Sequence, residues 1–349
     1  MPLPLVSVIM PVRDGERFLR DAIESLQRQT IRDFELIVVD DGSRDATPAI
    51  LAEAAQADPR IAVVRQEPIG LVAALNRGIA SVHTPFIARL DADDISLPDR
   101  LARQVEAAHG DPGLGLLGSY AEEIDERGRV LGTRKPPMNH NSLVESLKRG
   151  NPFIHSTILV RTELVRACGG FRAALAGAED YDLWLRIAER ARVANLPETL
   201  VRYRVHAQTV TERRKVRMAF SVRIARRAAA ERITGRHDPL DGLAVPPDWR
   251  TTASSSFFAP DARDFRLLEF ADQDGAAKLD PAMLDPAIFE GLAMRLDHGE
   301  RRLAQRALLH LLQRKDRPSW LGRIRLLALL VSLHPARAAK LLAQAAIGD

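Results

Sequence analysis

Apolar residues in the N-terminal third fall into four short blocks: Leu5–Val12, Phe34–Asp40, Ile61–Arg65 and Phe86–Leu90. Each is rich in β-branched residues and lacks strict alternation, as expected for strands covered on both faces. Between them, stretches with helical spacing run over Arg17–Gln29, Thr47–Ala57 and Leu71–Ser81. In the first of these, Phe18, Leu19, Ala22, Ile23 and Leu26 share one stripe. Strands alternating with helices of this length predict a parallel sheet with right-handed crossovers.

The rhythm changes after Pro98. A helix is predicted to about His109, then strands over Gly115–Glu122 and Arg129–Leu131 around the turn Asp125-Glu126-Arg127-Gly128. Phe153–Arg161 reads as a strand, Glu179–Arg190 as a helix with Leu183, Trp184 and Ile187 inward, and Leu200–Val205 as the last strand. Residues 212–233 favour helix. His237–Asp264, rich in Pro and Ser, reads as a linker. Helical spacing recurs at Pro281–Leu296, Arg301–Gln313, Trp320–Leu333 and Ala336–Ala345. The pattern predicts an α/β domain over 1–211, a basic helix and linker over 212–264, and a helical C-terminal domain over 265–349.

Composition bounds this picture. A 349-residue chain with 46% hydrophobic and 28% charged residues is ordinary for a globular protein of two units. The single cysteine, Cys168, cannot form an internal disulfide, which suits a reducing compartment. Met1-Pro2-Leu3-Pro4 lacks a basic signal-peptide start, and Leu326–Val331 is too short to span a bilayer. The expected location is the cytoplasm, with the inner face of the plasma membrane as a candidate peripheral contact. Nine Lys or Arg and two Glu between Glu212 and Arg236 carry a net +7, against +4 for the whole chain. That segment could approach anionic lipid, or simply dock within the protein. Arg227 falls beside Val216 and Phe220 on a helical wheel, which weakens the lipid reading. No nucleic-acid motif is present.

Chemistry concentrates at the strand ends. The first ends in Pro11-Val12-Arg13-Asp14-Gly15, the second in Asp40-Asp41-Gly42-Ser43 and the fourth in Asp91-Ala92-Asp93-Asp94. Open α/β sheets bind ligands outside the carboxyl ends of their strands. Three carboxylates so close together are costly unless neutralised, and a hard divalent cation shared with substrate phosphates does this well. There is no Gly-rich phosphate loop, so phosphate binding would rest on metal.

These motifs resemble family 2 glycosyltransferases. The resemblance runs through Val6–Val12, Phe34–Ser43 and Leu90–Asp94, and continues through Asn151-Pro152-Phe153-Ile154-His155-Ser156-Thr157, Gly177–Arg186 and Tyr203-Arg204-Val205-His206. It implies a GT-A fold, with a mainly parallel sheet flanked by helices, and an inverting transfer of sugar from a nucleotide-diphosphate donor, UDP- or dTDP-linked by preference. The acceptor would be a hydroxyl of a glycan or lipid-linked glycan. Pro11, Val12 and Asp14 would line the nucleotide-sugar pocket and Asp40 would bond the base. Asp91 would hold the ribose or sit behind the metal. Asp93 would bind Mn²⁺ or Mg²⁺ directly, with His206 as a further metal ligand or diphosphate contact. Asp180 would be the general base, with Glu179 and His155 as acceptor-side candidates.

Plainer roles compete. Asp180 fits a helix N-cap, Asp94 a turn cap, and Asp41-Gly42-Ser43 ordinary turn chemistry. His155 and Trp184 fit core packing, His206 a structural or surface histidine, and Arg89 a simple ion pair. Asn76 and Gly70 match the family pattern, although helix packing also accounts for them. A sugar-nucleotidyltransferase and a non-catalytic nucleotide-sugar-binding module are the alternative functions. The C-terminal helices are a candidate surface for oligomerisation or partner recruitment.

Overall fold

The computed structural model describes residues 4–175, 177–206, 212–253, 255–262 and 265. Four helical segments anticipated beyond residue 280 lie outside the described residues. The chain divides into two compact units, Met1–Thr209 with Ala225–Pro246, and Val210–Ile224 with Pro247–Asp349.

The first unit begins with β1 (Val6–Val12), α1 (Leu19–Gln27), β2 (Phe34–Asp41), α2 (Thr47–Ala57), β3 (Ile61–Gln66), α3 (Leu71–Ala80) and β4 (Phe86–Arg89). These strands pair in parallel in the order β3-β2-β1-β4. Every residue of β1 is buried, which is why its sequence does not alternate. Val6, Val8 and Met10 join a core with Leu19, Ala22, Ile23 and Leu26 of α1. On the opposite face α3 comes so close that a Cβ on Gly78 would lie 2.8 Å from the Ile9 side chain.

Beyond β4 the sheet is mixed. It continues through β5 (Ile95–Ser96), α4 (Arg100–Gly110), β6 (Leu114–Ile124), β7 (Val130–Arg134), α5 (His140–Leu147), β8 (Leu159–Arg161), α6 (Thr162–Ala167), α7 (Glu179–Ala188) and β9 (Arg192–Arg204). The order extends β4-β8-β6-β9-β5, with β7 beside β6. The β4–β8, β6–β8 and β5–β9 pairs are antiparallel, whereas β6–β9 is parallel.

Three local expectations change. Only the last third of Phe153–Arg161 is strand; His155–Thr157 forms a 3-10 turn. The backbone bends there because the Asn151 side chain accepts from Phe153 N at 3.0 Å and Thr157 N donates to Ile154 O at 2.9 Å. The last strand starts at Arg192, well before Leu200. Pro197 is tolerated inside it because the β6–β9 register skips from Leu196 to Thr199 opposite Ser119 and Tyr120. Phe18 leaves the core stripe: it precedes α1 and turns toward the strand-end cleft.

Helix α8 (Glu212–Ile233) buries Val216, Phe220, Ile224, Ala225, Ala228 and Ala229. Its apolar stripe is therefore already covered. In the first unit, Arg232 pairs with Glu189 at 2.7 Å and with Asp238 at 2.8 Å. In the second, Phe220 packs edge-on against Trp249 and Phe265. The stretch read as a linker buries Leu240, Trp249 and Phe258, a few large anchors among its Pro and Ser, together with Ala262. Among the described residues no helix is long and apolar enough to cross a membrane.

Candidate functional site

The ends of β1 and β4 open on a cleft of about 370 Å³ lined by Pro11, Val12, Asp14, Phe18, Asp91, Asp93, Glu126 and His206, with Arg13 and Arg17 at its wall. The floor is held by zipping two strand-end loops together. Asp14 N donates to Ser43 Oγ at 2.9 Å, Arg44 N to Asp14 Oδ1 at 2.8 Å, and Gly15 N to Thr47 Oγ1 at 2.8 Å. Asp14 adopts φ 51°, a left-handed conformation that its short polar side chain tolerates.

Asp40 sits beneath this floor, 1% exposed. Its Oδ1 accepts from Ser43 N at 2.9 Å and its Oδ2 lies 3.4 Å from Arg65 Nε. Asp41 serves the neighbouring loop, accepting from Gln66 Nε2 at 2.8 Å, Ile69 N at 3.0 Å and Gly70 N at 3.0 Å. Gly42 needs its φ of 71°, and a Cβ there would strike Pro68.

The three carboxylates after β4 have three different environments. Asp91 receives the Arg89 guanidinium on Oδ1 and the Ser156 hydroxyl on Oδ2 at 2.9 Å. Burial works against its charge, yet Arg89 and Ser156 outweigh that and hold the carboxyl below its ordinary value. Asp93 is about a third exposed and meets His206 Nε2 at 2.6 Å. Asp94 is buried and accepts from Arg204 N at 2.7 Å, so it anchors the end of β9 rather than capping a turn before Pro98. Burial and the nearby charges of Asp91 and Asp93 push its carboxyl well above the ordinary range.

Arg204 ties the cleft together. Its Nε donates to Asp93 O at 2.8 Å and its Nη1 to Asp125 O at 3.0 Å, and its guanidinium lies 4.2 Å from the Phe18 ring centroid. The β6–β7 hairpin thereby places Glu126 over the cleft, 2.7 Å from Arg17 and 3.9 Å from His206 Nδ1.

A second polar group surrounds the start of α7. Asp180 is half-buried and occupies the second position of that helix; Ala178 is the N-cap. Its Oδ1 accepts from Tyr181 N at 2.7 Å and its Oδ2 from Asn151 Nδ2 at 2.8 Å. Burial, then the Glu179 charge, push its carboxyl up to about 7 against those two donors, and Asp91 adds to the rise. Glu179 is 6% exposed, accepts from Gly177 N at 2.6 Å, and is raised by burial. His155 packs edge-on against Phe171 and Trp184, and burial followed by the Arg89 charge push its imidazole down to about 3. It is neutral near pH 7, and Trp184 is 2% exposed.

Pro11, Val12, Asp14, Asp91, Asp93 and His206 therefore share one cleft, whereas Asp40, His155, Glu179 and Asp180 lie outside its lining. Sequence reasoning did not select Phe18, Glu126 or Arg17 for the cleft, nor Asn151 for Asp180. Glu126 was visible only as part of a turn, and Asn151 only as the first residue of a motif.

Among the described residues no cluster of three or more His, Cys, Asp or Glu is placed to hold a metal. The protein offers two donors that converge, Asp93 Oδ2 and His206 Nε2. A carboxylate with an imidazole suits Mn²⁺, or Mg²⁺ as a second choice, with diphosphate oxygens and water completing the shell. The donor set fits such an ion.

A mixed α/β sheet with acidic strand ends around a cleft is the arrangement of GT-A sugar-transferring enzymes. The model for "Glycosyl transferase family 2" matches residues 7–168. The amylovoran biosynthesis glycosyltransferase AmsE of Erwinia amylovora is 33% identical over 214 residues, covering 60% of this chain and 80% of that one. The O-antigen biosynthesis glycosyltransferase WbnJ of Escherichia coli is 35% identical over 213 residues, covering 58% and 81%. Among solved structures, the mannosyltransferase PcManGT from Pyrobaculum calidifontis, in complex with GDP-Man and Mn²⁺, has a TM-score of 0.53 at 20% identity. It covers 99% of this chain and 87% of its own. The chain belongs to glycosyl transferase family 2, and it is a glycosyltransferase of GT-A fold.

Proposed function

We propose that residues 1–211 transfer a sugar, with inversion, from a nucleotide-diphosphate donor to a hydroxyl of a glycan or lipid-linked glycan. The observation that carries this reading is the separation of two acidic groups. Asp93 and His206 face the cleft together, while Asp180 stands apart on α7 with a carboxyl raised to about 7. Single displacement needs one group for the leaving diphosphate and another for the attacking hydroxyl.

In this reading Asp180 takes the acceptor O–H proton as the acceptor oxygen bonds to the anomeric carbon. The bond from that carbon to the diphosphate oxygen breaks, and the nucleoside diphosphate leaves with the electron pair. Asp93 and His206 would hold Mn²⁺ or Mg²⁺, which when bound offsets the charge that develops on the diphosphate. Pro11, Val12 and Asp14 line the donor's side of the cleft, Asp91 is the candidate for the ribose and Asp40 for the base. Arg13 and Arg17 add positive charge where the diphosphate would lie.

The relatives named for amylovoran and O-antigen biosynthesis support a role in bacterial surface-glycan synthesis. A lipid-linked acceptor would bring the protein to the inner face of the plasma membrane. The test is a binding screen of UDP-, dTDP- and GDP-sugars with and without Mn²⁺, followed by transfer to surface-glycan acceptors. Metal-dependent binding of at least one donor is expected. Failure to bind or turn over any donor would sink the proposal.

A further inference from the structure

The segment Asn151–Thr157 reaches both acidic groups. At one end Asn151 Nδ2 donates to Asp180 Oδ2 at 2.8 Å; near the other Ser156 Oγ donates to Asp91 Oδ2 at 2.9 Å. The Asn151 amide has no freedom to turn over. Its Oδ1 is occupied by Phe153 N at 3.0 Å, an Asx turn that leaves only the NH₂ facing Asp180.

We propose that Asn151 is a positioning residue for Asp180, fixing that carboxylate in one rotamer through a charge-assisted hydrogen bond from an amide whose orientation the Asx turn sets. The proposal rests on reading Asp180 as the base. With Oδ1 on Tyr181 N and Oδ2 on Asn151, each oxygen keeps a second lone pair for an acceptor hydroxyl. A donor on the carboxylate favours its ionised form, the form that can accept a proton. The charges around it act the other way: Glu179 from its own helix and Asp91 from the end of β4 both favour protonation, and Arg89 acts on Glu179. Besides Tyr181 N, Asn151 is the donor set against them. The same short segment also fixes Asp91.

The test is a pH titration of the full chain labelled with ¹³C at aspartate carboxyls, read by NMR. The Asp180 signal is assigned by its loss in Asp180→Asn. Asn151→Ser and Asn151→Asp both keep an oxygen for Phe153 N; a merely structural role predicts no change in the uncharged Asn151→Ser, whereas Asn151→Asp also sets a second carboxylate beside Asp180. In Asn151→Ser the Asp180 signal is expected to titrate roughly one pH unit higher, the loss of one hydrogen bond to a charged group. In Asn151→Asp, where an acceptor replaces the donor, it should move higher still. An unchanged titration in Asn151→Ser overturns the proposal. If that variant does not fold, an unchanged titration in Asn151→Asp overturns it. Normal sugar transfer by Asp180→Asn would remove the base reading by itself, whatever the titration shows.

Discussion

His206 Nε2 lies 2.6 Å from Asp93 Oδ2, across 113 residues of chain. The contact forms because β9 returns beside β6 and Arg204, two residues before His206, is pinned to Asp93 O, Asp94 and Asp125 O. A histidine just beyond β9 and a carboxylate just beyond β4 thus face the same cleft.

If Asp93 and His206 hold the metal as proposed, replacing either should weaken metal-dependent donor binding. Asp93→Ala is expected to abolish the Mn²⁺-dependent part of nucleotide-sugar binding, and His206→Ala to weaken it about 10- to 100-fold. Calorimetry with and without Mn²⁺ reads both. Equal affinity in the presence and absence of metal for the unaltered protein would show that the ion has no part in binding.

The acid side of the rate profile should report Asp180. With its carboxyl near 7, Asp180, the proposed base, is increasingly protonated below that pH. Transfer at saturating donor is expected to fall about tenfold per pH unit well below 7. A rate that is flat from pH 5 to 8 would exclude Asp180 as the base.

The same group leaves a mark on stability. A carboxyl raised in the folded state binds protons more tightly there than in the unfolded chain, whose value is near 3.8. Stability therefore falls as pH rises from about 4 to about 7. Asp180→Asn removes that loss, so its melting temperature should exceed that of the unaltered protein at pH 8 and approach it at pH 4. Thermal melts at the two pH values settle the sign.

Asp182 and Arg186 form a buried pair on α7. Arg186 Nη2 donates to Asp182 Oδ2 at 2.6 Å and to Gly170 O at 2.9 Å, Nε donates to Asp182 Oδ2 at 3.0 Å, and Nη1 takes the carbonyl of Cys168. Asp182→Ala strands a cation that is 4% exposed. A cost of about 3–5 kcal/mol is expected in urea unfolding. A loss under about 1 kcal/mol, as surface pairs give, would contradict the burial.

Asn76 joins α3 to the chain before α7. Its Nδ2 donates to Phe171 O at 2.8 Å and its Oδ1 accepts from Phe171 N at 2.9 Å. Asn76→Ala should cost about 2 kcal/mol by losing both bonds. It should also disturb donor binding less than Asp93→Ala, since Asn76 lies outside the cleft's lining. Paired unfolding and binding measurements separate the two effects.

Much of this protein is legible along the chain because β1, β2 and β4 are buried on both faces and cannot alternate. Their apolar runs and the carboxylates that end them are local features, and so is the helical spacing of α1 to α4. The hairpin around Asp125 and the packing of Trp184 follow from equally local signals. Asp91, Asp93 and Asp180 could be chosen by sequence as candidates because they sit in short motifs.

What the sequence could not order is the division of work among neighbours. Asp91, Asp93 and Asp94 look alike in a row. Folding gives the first to Arg89 and Ser156, the second to His206, and the third to the backbone of Arg204. Phe18 has the spacing of a core residue, yet Arg204 and His206 draw it to the cleft. Pro197 argues against a strand until a register skip opposite Tyr120 absorbs it. Hydrophobic periodicity fixes which face of an element is buried, because burial depends on the pattern along that element alone. Partners 65 to 113 residues away depend on the sheet order, and only the tertiary structure decides which carboxylate meets which cation, hydroxyl or imidazole.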